Sequence, residues 1–398
     1  MPRGKDFWNP YRMVPIRKDF DPDSRRRPPA THERFTGLSG VLHCTLENLT
    51  LLFVADHDDG GRFCDRLVDG ATRLVIPGSS LKGACRSLAE LIGGGCFSTN
   101  VAGDKDRYYI LPDKYKACHK AHSLCITCRL FGMRERESDA HVHQGQVNIS
   151  DALIREPQEA WDTQKCEILL MGPKPQHKAF YLTPTTNKFD VLSRKMYFHQ
   201  PRRQDSVPEI PPNLRSKNED KIRTIYPLRP GHHFDFQVSF TNLQGDELEL
   251  LVYALALSNY EPDPITVTIE DGGSRLSGPM CHKIGHGKPL GMGSCAITIN
   301  SMCYLPPPHR RLAVPPEAAP TTLSGDELRA EIRRLTRQFV HDLSPTMQHL
   351  RKMMVWDDSD DREFHYPDFF WFRTKDDKDD QGKYKPHPLN AQTPLKGI

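Results

Sequence analysis

Ile76-Pro77-Gly78-Ser79-Ser80-Leu81-Lys82-Gly83-Ala84-Cys85-Arg86 is the stretch on which the fold turns. An apolar run ends in a Pro-Gly corner, and Ser79 or Ser80 follows where a helix needs its first-turn amides capped. Leu81, Ala84, Cys85, Leu88, Leu91 and Ile92 then recur at the spacing of a buried helical stripe. Gly93-Gly94-Gly95 stops that helix. Lys82 and Arg86 stand four apart and point the same way. A helix N-terminus beside a lysine is a ready place for a phosphate, although a plain strand-turn-helix corner with two solvated cations reads the same way.

Working outward, Leu38, Val41, Leu42, Cys44 and Leu46, then Leu49, Leu51 and Phe53, predict two strands or one long bent strand. Gln146 to Ala152 is a short alternating strand, and Phe234, Phe236, Val238 and Phe240 alternate strictly. Asp246-Glu247 opens a helix with Leu248, Leu251, Val252 and Leu255 on one side. A glycine-rich segment, Gly285 to Gly293, leads into the strand Cys295–Ile299, and Ser324 to Glu327 reads as a capping box for a further helix. The order strand, helix, strand, insertion, strand, helix, strand is the split βαβ pattern. The expected fold is therefore α+β: an antiparallel sheet of the ferredoxin-like or RNA-recognition-motif type, with large insertions and a C-terminal helical extension. The expected organisation is an N-terminal arm (1–36) and a core (37–300) with insertions at 96–144 and 156–229. A Pro-rich linker (301–322), a helical extension (323–356) and an acidic tail (357–398) follow.

Composition sets limits. The 398 residues are 37% hydrophobic, enough for a packed core, and the 33 prolines imply many irregular connections. No apolar run approaches membrane-spanning length and Met1-Pro2-Arg3-Gly4-Lys5 lacks a signal core, so a soluble, cytoplasmic chain is expected. Eleven cysteines without a signal peptide suit free thiols plus a metal site. The net charge is +3, but Asp357 to Asp380 holds ten acidic and four basic residues. The surplus of positive charge gathers in Arg25-Arg26-Arg27 and between Lys188 and Arg223, which is compatible with a nucleic-acid partner.

Cys118, His122, Cys125 and Cys128 form the metal candidate, with C-x-x-x-H, H-x-x-C and C-x-x-C spacings that suit tetrahedral Zn²⁺. The C-x-x-C pair is its firm part; His119 and Cys96 are placed to substitute for the other two ligands. A zinc deaminase is excluded, because Leu124 precedes Cys125 and no suitable His-x-Glu lies upstream. Val54-Ala55-Asp56-His57-Asp58-Asp59-Gly60-Gly61 concentrates carboxylates in one turn, either as oxygen ligands for a hard cation or as a solvated hairpin tip.

Five islands fall into one order: Ile76–Gly83, Cys125–Gly132 (Cys-Ile-Thr-Cys-Arg-Leu-Phe-Gly), Gly145–Ala152, Phe236–Leu243 and Gly287–Ser294 (Gly-Lys-Pro-Leu-Gly-Met-Gly-Ser). In that order they resemble the RAMP (repeat-associated mysterious protein) superfamily of CRISPR type III effector complexes, and most of all its guide-RNA-binding backbone members. Asn9–Ile16 and Arg194–His199 resemble the branch found in multi-RAMP and fused effectors. The resemblance implies CRISPR guide RNA, target RNA and other RAMP and effector subunits as partners. It implies RNA contact by Ser79, Ser80, Lys82 and Arg86, by Arg194 and Lys195, and by a glycine loop of Gly285, Gly287, Lys288, Gly291 and Gly293. It also implies that the Lys82 and Gly287–Lys288 corners share one RNA track, and that a thumb-like hairpin within 156–229, with Phe180, Tyr181, Tyr197 and Phe198 as candidate wedges, inserts into the guide–target duplex. Some members carry zinc. In target-cleaving members an aspartate of the first loop supports Mg²⁺- or Mn²⁺-dependent RNA cleavage, which points here to Asp58, then Asp56 and Asp59. The alternatives are a non-catalytic structural subunit, a metal-free guide-processing ribonuclease, and a zinc-stabilised RNA-binding module outside CRISPR defence.

Overall fold

In chain order the elements that position the site begin with strands β1 (Tyr11–Pro15), β2 (Leu38–Asn48), β3 (Asp65–Val68) and β4 (Ala71–Ile76) and helix α1 (Gly78–Ile92). Helix α2 (Ile126–Phe131), strands β5 (Val147–Ile149), β6 (Ala152–Ile154), β7 (Ser193–Tyr197) and β8 (His233–Leu243), and helix α3 (Gly245–Ala256) follow. Strands β9 (His282–Lys283), β10 (Ser294–Leu305) and β11 (Thr321–Leu323) and helices α4 (Gly325–Val340) and α5 (Pro345–Met354) complete the set. The computed structural model describes residues 7–17, 25–31, 33–56, 61–97, 113–134, 142–171, 193–257, 267–271, 273–311 and 318–366.

The main sheet runs β9-β10-β2-β8-β6-β4-β3, with β5 also on β8 and β11 on β10. Its ladders are antiparallel. β2 and β6, joined through α1, flank β8, while β8 and β10, joined through α3, flank β2. These are two interlocked split βαβ units, so the expected α+β, ferredoxin-like sheet is the one observed. Strict alternation explains its two faces. Leu42, Cys44 and Leu46 of β2 and Phe234, Phe236, Val238 and Phe240 of β8 are buried, each phenylalanine contributing about 2 kcal/mol. The opposite face is polar: Arg155 donates to Asp235 at 2.9 and 2.6 Å, and Thr45 takes a hydrogen bond from Asn300 at 2.7 Å.

The α1 stripe forms as expected, with Leu81, Cys85, Leu88, Leu91 and Ile92 buried. Its cap differs. Ser79 and Ser80 are exposed inside the first turn, and the Gly78 N–H donates instead to the Asp151 carboxylate at 2.8 Å. Only glycine fits there, since a Cβ on Gly78 would lie 2.1 Å from the Ile149 carbonyl oxygen. Ser324 does flank α4, but its hydroxyl makes no capping bond.

Residues 7–17 and 325–366 contribute to the same core. β1 pairs antiparallel with β7, Tyr11 opposite Tyr197 and Val14 opposite Arg194, and Trp8, Val14 and Ile16 lie in the main apolar cluster. Leu328, Ile332, Leu335 and Phe339 of α4 are buried, and Phe339 stacks on Tyr253 of α3 at 4.9 Å. The start of the acidic tail also folds in: Arg362 pairs with Asp360 at 2.8 Å and lies 4.8 Å over the Trp8 ring. Among the described residues no helix is long and apolar enough to cross a membrane.

Candidate metal centre and nucleic-acid interface

Past the glycine stop of α1 the chain turns inward at Cys96, which meets Cys118 and the two cysteines around the start of α2. The sulfurs of Cys96, Cys118, Cys125 and Cys128 are buried and all lie within 4.8 Å of one another. A tetrahedral Zn²⁺ with sulfur ligands at about 2.3 Å sets its ligands roughly 3.8 Å apart, so the donor set and spacing fit the ion. The Cys96–Cys128 sulfurs are 3.5 Å apart, too far for a disulfide. Backbone N–H groups of Cys96 and Cys125 donate to the sulfurs of Cys125 and Cys118 at 3.4 and 3.3 Å, favouring thiolates. Hydrogen bonds from Cys118, then Cys128 and Cys96, hold the Cys125 thiol well below its usual range. The same contacts push Cys128 up, because four sulfurs this close cannot all ionise unaided; a divalent cation among them removes the conflict. The fourth donor is Cys96, one of the two expected substitutes, and not His122, which is exposed and outside the group.

Beside the cluster stands buried Glu90. Arg86, one turn earlier on α1, donates to it at 3.0 Å, to the Gly132 carbonyl at 2.8 Å and to the Cys128 sulfur at 3.6 Å. Arg194 of β7 pairs with the other Glu90 oxygen and lies 4.4 Å over the Phe97 ring. Arg86 and Arg194 together brace one buried carboxylate between the cysteine cluster and β7. The Arg25–Arg27 run is committed in the same way. Arg26 donates to the Lys114 and Lys116 carbonyls, and Arg27 pairs with Asp246 at 2.7 Å at the start of α3. Lys195 lies 3.7 Å over the Tyr11 ring, and burial pushes its ammonium down to about 8.

The glycine loop joins β9 to β10. Gly285, Gly287, Gly291 and Gly293 all have positive φ, and a Cβ on Gly293 would lie 1.9 Å from the Ile284 carbonyl oxygen. Much of the loop's backbone is committed internally. The N–H groups of His286 and Gly293 donate to the Phe53 and Leu51 carbonyls, and those of Leu290 and Met292 to Gly287. Lys283 donates to the Gly291 and Met292 carbonyls at 3.0 and 2.9 Å. Lys288 is different: it has no carboxylate partner among the described residues, and burial lowers its pKa. Lys82 stands alike, lowered by burial and by Arg86. A half-buried cation without a counter-ion is stabilised by an incoming anion.

The α1 N-terminus is no open anion site, because the Asp151 carboxylate already occupies it. A short ladder links the end of β4 to the glycine loop: the Val75 N–H donates to the Cys64 carbonyl, the Cys64 N–H to the Val54 carbonyl, and the His286 N–H to the Phe53 carbonyl. Asp56 pairs with Arg66, while Asp58, Asp59, Phe180 and Tyr181 lie outside the described residues. Tyr197 packs edge-on to Tyr11, and Phe198 is buried against Trp8, so neither is a free wedge.

A split βαβ sheet with an inserted cysteine-rich segment and a glycine turn ahead of its last long strand defines a class of ferredoxin-like α+β chain. Within it, the sequence profile of the RAMP superfamily matches residues 45–295. The chain belongs to that superfamily. A solved structure described as the Csm3-Csm4 subcomplex in the type III-A CRISPR-Cas interference complex is similar over 76% of this chain and 96% of that one, at 14% identity and a TM-score of 0.32. No curated protein matches the sequence.

Proposed function

We propose that this chain is a guide-RNA-binding RAMP subunit of a type III CRISPR effector complex, packed against other RAMP and effector subunits. The observation that carries the reading is the superfamily match across the sheet, α1, the cysteine insertion and the glycine loop. Two half-buried lysines without carboxylate partners among the described residues, Lys82 and Lys288, support RNA phosphate contact. Cys96, Cys118, Cys125 and Cys128 would hold Zn²⁺, whose role is to clamp the insertion to the end of α1.

Target cleavage with Mg²⁺ or Mn²⁺ is carried in this proposal by Asp58, then Asp56 and Asp59; the Arg66–Asp56 pair is solvent-exposed and a metal ion can displace it. The test is the nucleic acid that co-purifies with the protein in its complex. An RNA of defined length carrying repeat-derived sequence supports the proposal, and bulk or no RNA contradicts it. Asp58→Ala should abolish Mg²⁺-dependent cleavage of guide-paired RNA and leave binding intact; unchanged cleavage places that chemistry on another subunit.

A further inference from the structure

The turn from Gln200 to Arg203 packs on the glycine loop. The Gln200 side-chain N–H₂ donates to the Pro289 carbonyl at 3.1 Å, and the Gln200 amide oxygen accepts from Arg203 Nη1 at 3.2 Å. Gly291 allows the approach: a Cβ there would lie 3.1 Å from the Arg203 Cβ and 3.4 Å from the Gln200 Cβ. Turn and loop also share an anchor, since the Leu51 N–H donates to the Gln204 carbonyl at 2.7 Å and the Leu51 carbonyl accepts from Gly293 at 2.8 Å. Arg203 is therefore fixed against the loop that carries Lys288.

Charge is unbalanced at this corner. Arg202 reaches Asp361 at 3.6 Å, an exposed and exchangeable pair. Its neighbour Arg203 forms no ion pair among the described residues, and Glu363 acts on it only at longer range. Burial lowers the pKa of Arg203 and of Lys288, and Lys283 is lowered by burial and by Lys288. Three partly desolvated cations thus gather around one loop. With Nη1 committed to Gln200, the Nε–Nη2 edge of the half-buried Arg203 guanidinium has no acceptor among the described residues. Such an edge is a fork that fits two oxygens of one phosphate.

We infer that Arg203 grips a phosphate of the RNA strand that passes Lys288, which makes the 200–203 turn the second wall of that track. The inference rests on the RNA-binding reading above and adds to it a cation from a distant segment of the chain. Several under-compensated cations in one place suit a polyanion better than a single carboxylate of a protein neighbour.

The test measures affinity of the full chain for a fluorescein-labelled single-stranded RNA across a salt series. Arg203→Ala should weaken binding about tenfold at low salt and make the log–log slope shallower by roughly 0.7–1. Arg202→Ala removes the same charge one residue away, from an exposed pair, and should change both quantities little. Arg203→Lys keeps the charge but not the fork, so it should hold the wild-type slope and bind between wild type and Arg203→Ala. Glu363→Gln, which removes the competing carboxylate, should tighten binding roughly twofold at low salt. Arg203→Ala matching Arg202→Ala, or Arg203→Lys matching wild type, overturns the inference and leaves RNA binding standing. No RNA binding by wild type overturns both.

Discussion

Two regions carry basic residues of similar promise in the sequence, and the structure uses them in opposite ways. At the C-terminal end of α1, Arg86 and Arg194 converge on buried Glu90 beside four cysteines. At the glycine loop, Lys288 faces no carboxylate among the described residues, while its neighbour Lys283 fastens the loop by two backbone carbonyls. The first region is a brace and the second leaves a cation for a ligand. The count of basic residues does not separate them; the location of the nearest carboxylate does. A guanidinium also suits a fixed, forked partner, whereas an ammonium on a flexible stem suits a phosphate that arrives later.

The largest expected effect breaks the brace. Cys125→Ser with Cys128→Ser should remove bound zinc, measured by elemental analysis, and lower unfolding free energy by on the order of 5 kcal/mol. A double variant with wild-type stability would show the cysteines to be ordinary buried thiols. Glu90→Gln comes next. It leaves two guanidiniums without their buried counter-ion and should cost about 3–5 kcal/mol in a denaturant titration, with little change in RNA salt dependence. Asp151→Ala removes the acceptor at the α1 N-terminus and should cost about 1 kcal/mol, whereas Ser79→Ala should be nearly silent.

These contrasts show what could be read from the sequence. The α1 stripe, the alternation of Phe234 to Phe240 and the strand order were legible because periodicity is a local property and the split βαβ connection follows from it. Cys125 and Cys128 were legible from their spacing. Cys96 was legible only as an alternative ligand beside His119, because it reaches the cluster only after the three glycines turn the chain back. The Asp151 cap, the Glu90 hub and the β1–β7 pairing are contacts between distant segments, and nothing in the local pattern of Ser79-Ser80 or Arg194 announces them. The expected N-terminal arm and the 156–229 insertion both reach the core, through Trp8, Val14 and Phe198.

A smaller effect sharpens the glycine-loop side. Burial brings Lys283 down to about 7, so between roughly pH 7 and 10.5 the unfolded chain binds more protons than the folded one. The sign follows: this group makes stability rise with pH across that window. Lys283→Met should flatten that part of the stability-versus-pH curve relative to wild type, read by urea titrations at pH 7, 8.5 and 10.

The most direct measurement is RNA affinity against salt concentration for wild type and Lys288→Ala. Lys288→Ala should bind more weakly at low salt, with a log–log slope shallower by about 1, and melt within a degree or two of wild type. The same affinity and the same slope in both proteins would mean that the glycine corner holds no RNA phosphate, and would contradict the account.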